Sequence, residues 1–252
     1  MPENLFAPPL TPPADLRANL ARDGFAVLDA TSVRALAGVQ AADLQALEAD
    51  WKSLPPDAHL KDGGRYRYRR HASFTVEGLS VVRTPHRAHW QPLAYNALHG
   101  GMERWFDPIF EATTATAAWQ GLLIWLASVA SGLHGAAGRA QRWYVEAHQF
   151  RIDTTDGIGR PTPEGAHRDG VDLVAVFLVA RHCVKGGETR VFDAGGPGGQ
   201  RFTLTEPWSL LLLDDMRVIH ESTPIQPLDG AADGGWRDTL VVTLRAGGFQ
   251  EA

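Results

Sequence analysis

Cysteine is almost missing from this chain. Its one instance, Cys183, excludes an internal disulfide and a thiolate zinc site, and suits a reducing compartment. It reads as a small buried residue at a strand end, not a catalytic thiol. Long apolar runs are missing too. None approaches the roughly 20 residues that span a bilayer, and Met1-Pro2-Glu3-Asn4-Leu5 has neither the basic nor the apolar region of a secretory signal. A cytoplasmic protein with no membrane partner is expected. There is no basic excess: Lys+Arg 24 against Asp+Glu 29 gives a formal net charge of −5, so nothing draws the whole chain to nucleic acid. The glycine-rich stretch Gly195-Gly196-Pro197-Gly198-Gly199 lacks the Gly-Lys-[Ser/Thr] ending of a phosphate loop and reads as a hairpin connection.

What is present suffices for a large core: 252 residues, 44% apolar, with eight Trp. The first half has helical texture. Leu16 and Leu20 mark a helix over Asp15–Asp23, closed by Gly24 and followed by a short strand, Phe25–Leu28. Thr31 or Ser32 is expected to cap a second helix carrying Leu36, Val39, Leu44 and Leu47, stopped by Pro55-Pro56. Met102–Leu133 is predicted helical, broken near Asp107-Pro108, with Trp119, Leu122, Leu123, Leu126 and Val129 as a core-facing stripe. Between them, Arg65-Tyr66-Arg67-Tyr68-Arg69-Arg70-His71 alternates like a strand. Its basic side is read as a solvated face, although an arginine there could reach a substrate carboxylate.

From Trp143 onward, short strand-like segments follow one another with turn signals and no helical pattern between them. That predicts an antiparallel jelly roll. The expected fold is therefore α+β, mainly β: a double-stranded β-helix backed by N-terminal helices. One domain is expected over 1–252, with a support part at 13–138 and a jelly-roll core at 143–246.

The chemistry centres on Pro161-Thr162-Pro163-Glu164-Gly165-Ala166-His167-Arg168-Asp169-Gly170. At the mouth of the apolar run Val171–Ala180, His167 and Asp169 share a face because strand side chains alternate. His220, which ends the apolar segment from Trp208, would complete a 2-His-1-carboxylate iron set. His-x-Asp alone is common; the loop-to-strand context, the distal His220 and the later Arg237 make it specific. His148 and His182 read as core or surface histidines, and His86, His89 and His99 lack the spacing of a second metal site.

Four blocks carry a family resemblance: Pro163–Asp172, Gly186–Thr189, Asp214–His220 and Trp236–Thr243. In combination and order they resemble the Fe(II)/2-oxoglutarate dioxygenases of the BsmA-like type, a group that includes bacterial L-isoleucine 4-hydroxylase. The match is close in the C-terminal part; the N-terminal half shares only the general layout. The resemblance implies iron held by His167, Asp169 and His220, with 2-oxoglutarate as cosubstrate and O2 as oxidant. It implies Arg237 for the far carboxylate of 2-oxoglutarate, with Arg245 as the fallback. The expected reaction is hydroxylation of a small free L-amino acid, aliphatic or thioether, with release of succinate and CO2. The carboxylate of Asp169 fits hydroxylation and not halogenation. Candidate substrate contacts are Glu164 for an α-ammonium, Arg151 and Arg168 for an α-carboxylate, and Gln149 for either the substrate or the cosubstrate. Two alternatives stay open: a cupin-type metalloenzyme without 2-oxoglutarate, which would normally offer His-x-His where Asp169 stands, and a non-catalytic jelly-roll binding protein. A homodimer is compatible with the sequence, which does not specify one.

Overall fold

Leu16 and Leu20 are buried one helical turn apart, and Gly24, at φ 75°, closes their helix α1 (Leu16–Asp23) as a left-handed cap. The computed structural model describes residues 5–96, 98–135, 141–231 and 234–251. Its further elements are β1 (Phe25–Leu28), α2 (Ala30–Ala37), α3 (Ala41–Leu47), β2 (Arg67–Glu77), β3 (Ser80–Arg83), α4 (Glu111–Thr114), α5 (Ala117–His134) and β4 (Arg142–Asp153). Then follow β5 (Leu173–His182), β6 (Val184–Gly186), β7 (Thr189–Asp193), β8 (Gly199–Phe202), β9 (Leu210–Asp214), β10 (Val218–Ser222), β11 (Ile225–Pro227) and β12 (Trp236–Ala246). The expected end of the support part at residue 138 and the start Met1–Asn4 lie outside the described residues.

Two helical expectations are corrected. The cap of α2 is Asp29, whose carboxylate accepts from Ser32 N–H at 2.7 Å, and not Thr31 or Ser32. Gly38, at φ 67°, splits that segment into α2 and α3. The stretch 102–110 is not helical; helix begins at Glu111, and Thr116 caps α5 by accepting from Trp119 N–H.

The large sheet has seven strands in the order β1-β9-β5-β12-β4-β2-β3, and its paired neighbours run antiparallel. Smaller sheets, β10-β7-β8 and β11-β6, complete the roll. One face of the large sheet packs on the helices, with Phe74, Val145, Leu240 and Val242 meeting Trp119, Leu122 and Leu126 in one buried cluster. The other face sends Val174, Leu178 and Leu211 against Val191, Phe202 and Val218 of the smaller sheet. This is the expected double-stranded β-helix backed by helices. The glycine-rich loop joins β7 to β8 as an antiparallel hairpin. Strands β1, β2 and β3 come from the N-terminal half, so that half builds sheet as well as supporting it.

Candidate active site

The loop before β5 is tied to β10 by a reciprocal backbone pair: His167 N–H donates to His220 C=O at 3.0 Å, and His220 N–H to His167 C=O at 2.9 Å. That bridge sets the two imidazoles 4.7 Å apart, centroid to centroid. The turn between His167 and β5 is held by one carboxylate. Asp215 accepts from the backbone N–H groups of Asp169 (3.0 Å), Gly170 (2.7 Å) and Val171 (3.1 Å). Gly170 takes φ 77°, a conformation that side-chain-bearing residues rarely adopt. The result is convergence: Nε2 of His167 lies 3.6 Å from one oxygen of Asp169, and Nε2 of His220 lies 3.8 Å from the other.

The donor set fits a divalent iron. His167 donates its Nδ1–H to the Gly165 carbonyl at 2.9 Å, which presents Nε2 to the shared point. Burial, and next the charge of His167, lower His220 to about 4, so its imidazole is neutral. Burial opposes ionisation of Asp169, but hydrogen bonding and attraction from His167 hold it well below the usual carboxylate range. Burial would lower His167 too, yet Asp169 and Glu164 draw it up to about 10; a metal would take the place of that proton. Asp215 is pushed up to about 7 by burial and by the charge of Asp169.

All three groups border a cavity between the sheets, and Glu164 and Arg237 line it as well. Oε2 of Glu164 is buried without a hydrogen bond, and Oε1 lies 3.5 Å from His167 Nε2. Arg237 is 4% exposed, and its Nε has no hydrogen-bond partner. Burial, then the neighbouring Arg181, lower it to about 10. Asp238, the residue beside it in sequence, is instead paired with Arg151. A buried guanidinium with no carboxylate partner among the described residues fits the anion of a cosubstrate. The fallback, Arg245, is spent on the carbonyls of Gly248 (2.8 Å) and Phe249 (3.3 Å) and does not border the cavity.

Three expected substrate contacts are not brought to this cavity. Alternation along β4 turns Glu146, His148, Phe150 and Ile152 inward, which directs Gln149 and Arg151 to the opposite face. The Gln149 amide donates to Asp50 at 3.0 Å, and Arg151 grips Asp238 with two bonds of 2.8 and 2.7 Å. The same alternation turns Arg168 away from its neighbours His167 and Asp169; it donates to the Met216 carbonyl at 3.4 Å.

Other residues take their place. The basic strip on β2 is not a solvated face: Arg67, Arg69 and His71 are buried, on the inward parity. Its alternation signalled the parity but not which side faced in. The irregular segment 84–110 carries His89, Gln91, Asn96, His99 and Arg104 to the cavity, and no periodicity in the sequence marks them. Gln91 bridges two of the groups, donating to Asp169 Oδ1 at 3.1 Å and accepting from Arg104 at 2.8 Å.

His71, His89, Glu146 and His148 form a second group of donors close enough to hold a metal, although sequence spacing gave His89 no such partners. Here the donors already satisfy one another. His71 and His89 donate to the two oxygens of Glu146 at 3.1 and 3.2 Å. Arg69 donates to Nδ1 of His148 at 2.7 Å, which leaves the proton of that neutral ring on Nε2. Burial keeps all three imidazoles neutral, with His89 lowered to about 4.

Two imidazoles and a carboxylate on one side of an internal cavity in a jelly roll are a donor set suited to non-haem iron. A sequence model described as 2OG-Fe dioxygenase matches residues 48–243, and the chain belongs to that family. Fe(II), 2-oxoglutarate and O2 are the cofactor and cosubstrates of the family. The chain is 52% identical to a BsmA homolog from Methylobium petroleophilum PM1 whose crystal structure superposes with a TM-score of 0.90 and covers 97% of each chain. Two more distant structures share the fold. IDO from Bacillus thuringiensis has a TM-score of 0.74 at 17% identity, covering 94% of this chain and 97% of that one. The Fe(II)/(alpha)ketoglutarate-dependent dioxygenase TqaL has 0.69 at 21%, covering 92% and 86%. No curated protein sequence matches the chain. Among the described residues, no helix is long and apolar enough to cross a membrane.

Proposed function

We propose that this chain is, as one domain, a 2-oxoglutarate-dependent hydroxylase of a small free L-amino acid, with iron held by His167, Asp169 and His220. The observation that carries the reading is the pairing of this donor set with the anion-free Arg237 in one cavity. When bound, iron with 2-oxoglutarate and O2 supplies oxidative decarboxylation to succinate and CO2, coupled to oxidation of the substrate. The protein's part is placement. The two Nε2 atoms and the Asp169 carboxylate would hold the metal and leave its remaining positions to the reactants. Gln91 fixes the angle of Asp169, and Asp215 fixes the backbone beneath it. Arg237 would hold the far carboxylate of 2-oxoglutarate. The unbonded oxygen of Glu164 accepts an α-ammonium. Val176, Leu211 and Val241 line the same cavity and keep water from the reacting atoms.

The test begins without oxygen. Fe(II) and 2-oxoglutarate added to the protein should produce the weak visible charge-transfer band of the chelated complex. A panel of aliphatic and thioether L-amino acids with O2 and ascorbate should then yield a product one oxygen heavier, with equimolar succinate. His167→Ala and Asp169→Ala should abolish both signals. A folded protein that gives no band removes the reading, and turnover retained in either variant reassigns the ligands.

A further inference from the structure

Three guanidiniums stand inside this protein, each with a buried nitrogen that has no hydrogen-bond partner among the described residues. Arg67, Arg69 and Arg104 are 5%, 3% and 2% exposed, and all three line the cavity. Two of them share Asp57, which accepts from Arg67 Nε at 2.7 Å and lies 3.8 Å from Arg69. Two other acids act on Arg104: Glu146, already engaged by two histidines, and Glu164, which lies 3.5 Å from His167.

The three cations are not equally served. Arg69 also has a buried, unbonded Nε, but it is sandwiched between aromatic rings, 3.7 Å from the centroid of Phe106 and 4.4 Å from that of Phe150, and bonds His148. Among the described residues the Arg104 guanidinium bonds the neutral amide of Gln91 alone, and its Nε is buried and unbonded. Arg67 has one nitrogen on Asp57, while its Nη2 is buried and unbonded. Burial, and next the charge of Arg67, lower Arg104 to about 10, so the two guanidiniums stand within electrostatic reach of each other. Buried like charges with idle donors are costly unless an anion joins them.

We infer that Arg67 and Arg104 are the seat of the substrate's carboxylate, which bridges the free Nη2 of one and the free Nε of the other. This rests on the hydroxylase reading above and identifies its substrate class: a molecule with a free carboxylate, not an amide, ester or carrier-bound acyl group. Distance supports the assignment. Arg104 is joined to Asp169 through Gln91 by bonds of 2.8 and 3.1 Å. The span across that amide is at most about 8 Å, near the reach of a small amino acid from carboxylate to side-chain carbon. The seat is separate from Arg237, which belongs to another strand and answers to the cosubstrate.

The experiment uses the intact chain with Fe(II) and 2-oxoglutarate, without oxygen. Calorimetric titrations compare L-leucine, L-isoleucine and L-methionine, each against its own carboxamide. At least one free acid should bind, and its carboxamide should bind about tenfold or more weakly. Arg104→Met and Arg67→Met should each weaken the acid by a similar factor and leave 2-oxoglutarate affinity within about twofold, while Arg104→Lys should recover part of the loss. If either Met variant fails to fold, the comparison of acid with carboxamide on the unaltered chain decides. A carboxamide that binds as tightly as its acid overturns the seat, as does the binding of no acid, or a Met variant that loses 2-oxoglutarate and keeps the amino acid. An unaltered chain that does not bind 2-oxoglutarate overturns the hydroxylase reading itself.

Discussion

Arg237 carries a sharp expectation because nothing else in its surroundings needs it. Its removal leaves no buried acid unpaired, so Arg237→Ala should keep its fold while its affinity for 2-oxoglutarate falls by about tenfold to a hundredfold, read by titration of the charge-transfer band. Unchanged affinity would move the anion site elsewhere. Gln91 is a positioning residue of a different kind. Its amide orients Asp169 on one side and satisfies Arg104 and Asn96 on the other. Gln91→Leu keeps the volume and removes both polar ends. Fe(II) affinity should fall about 10–100-fold, as for other outer partners of metal ligands. A purely structural role would lower thermal stability and leave the iron dissociation constant alone. At this scale the sequence disclosed the three side chains that the structure brings together, since His-x-Asp before a strand and a distal His are short-range patterns. It hid Gln91 and Arg104, which sit in a segment with no period and are placed by the partners they meet.

Elements were readable where burial repeats with one period. Helix α5 is the best case. Trp119, Leu122, Leu123 and Leu126 recur at helical spacing, and all are buried against the sheet. Leu126 is 0% exposed, so Leu126→Ala opens a cavity between helix and sheet. Stability should fall by about 2–5 kcal/mol in denaturant titration, with 2-oxoglutarate affinity unchanged in the folded protein. A loss below about 1 kcal/mol would mean that the helix is not tightly seated on the sheet. Cap positions were less readable. Asp29, Thr31 and Ser32 are all chemically able caps, and only Asp29 has the extended backbone and the 2.7 Å bond. The helix expected from residue 102 failed for a related reason: the backbone of Arg104 pairs with His89, and that of Asp107 and Ile109 with His71, so residues 102–110 bond to other segments and not to one another. Strands buried on both faces gave apolar runs whose existence was clear. In β4 and β2 polar residues occupy both parities, and pattern alone could not tell the cavity face from the helix face. That ambiguity sent Gln149 and Arg151 to the wrong side and left Arg67 and Arg69 outside.

Across the whole molecule, charge is arranged around the cavity in a way that no local pattern predicts. Asp57, in the loop ahead of β2, neutralises arginines on that strand, while the histidines beside them stay uncharged. Burial pushes the Asp57 carboxyl upward, but Arg67 and Arg69, with the backbone N–H of His59, outweigh it and hold the group below the usual range. The sign of the pH effect follows. A carboxylate depressed in the folded state contributes stability that is fully present above its unfolded value of about 3.9, and that contribution is lost as pH falls through the lower folded value. Asp57→Asn should therefore cost about 3–5 kcal/mol at neutral pH, because it leaves buried guanidiniums facing an amide. The cost should shrink below about pH 4, where the parent loses the same charge. Denaturant titrations of both proteins from neutral to acidic pH would show the two stability curves converging. Parallel curves would mean that Asp57 is not the counter-charge of this cluster, and that the arginines of β2 are neutralised from another side.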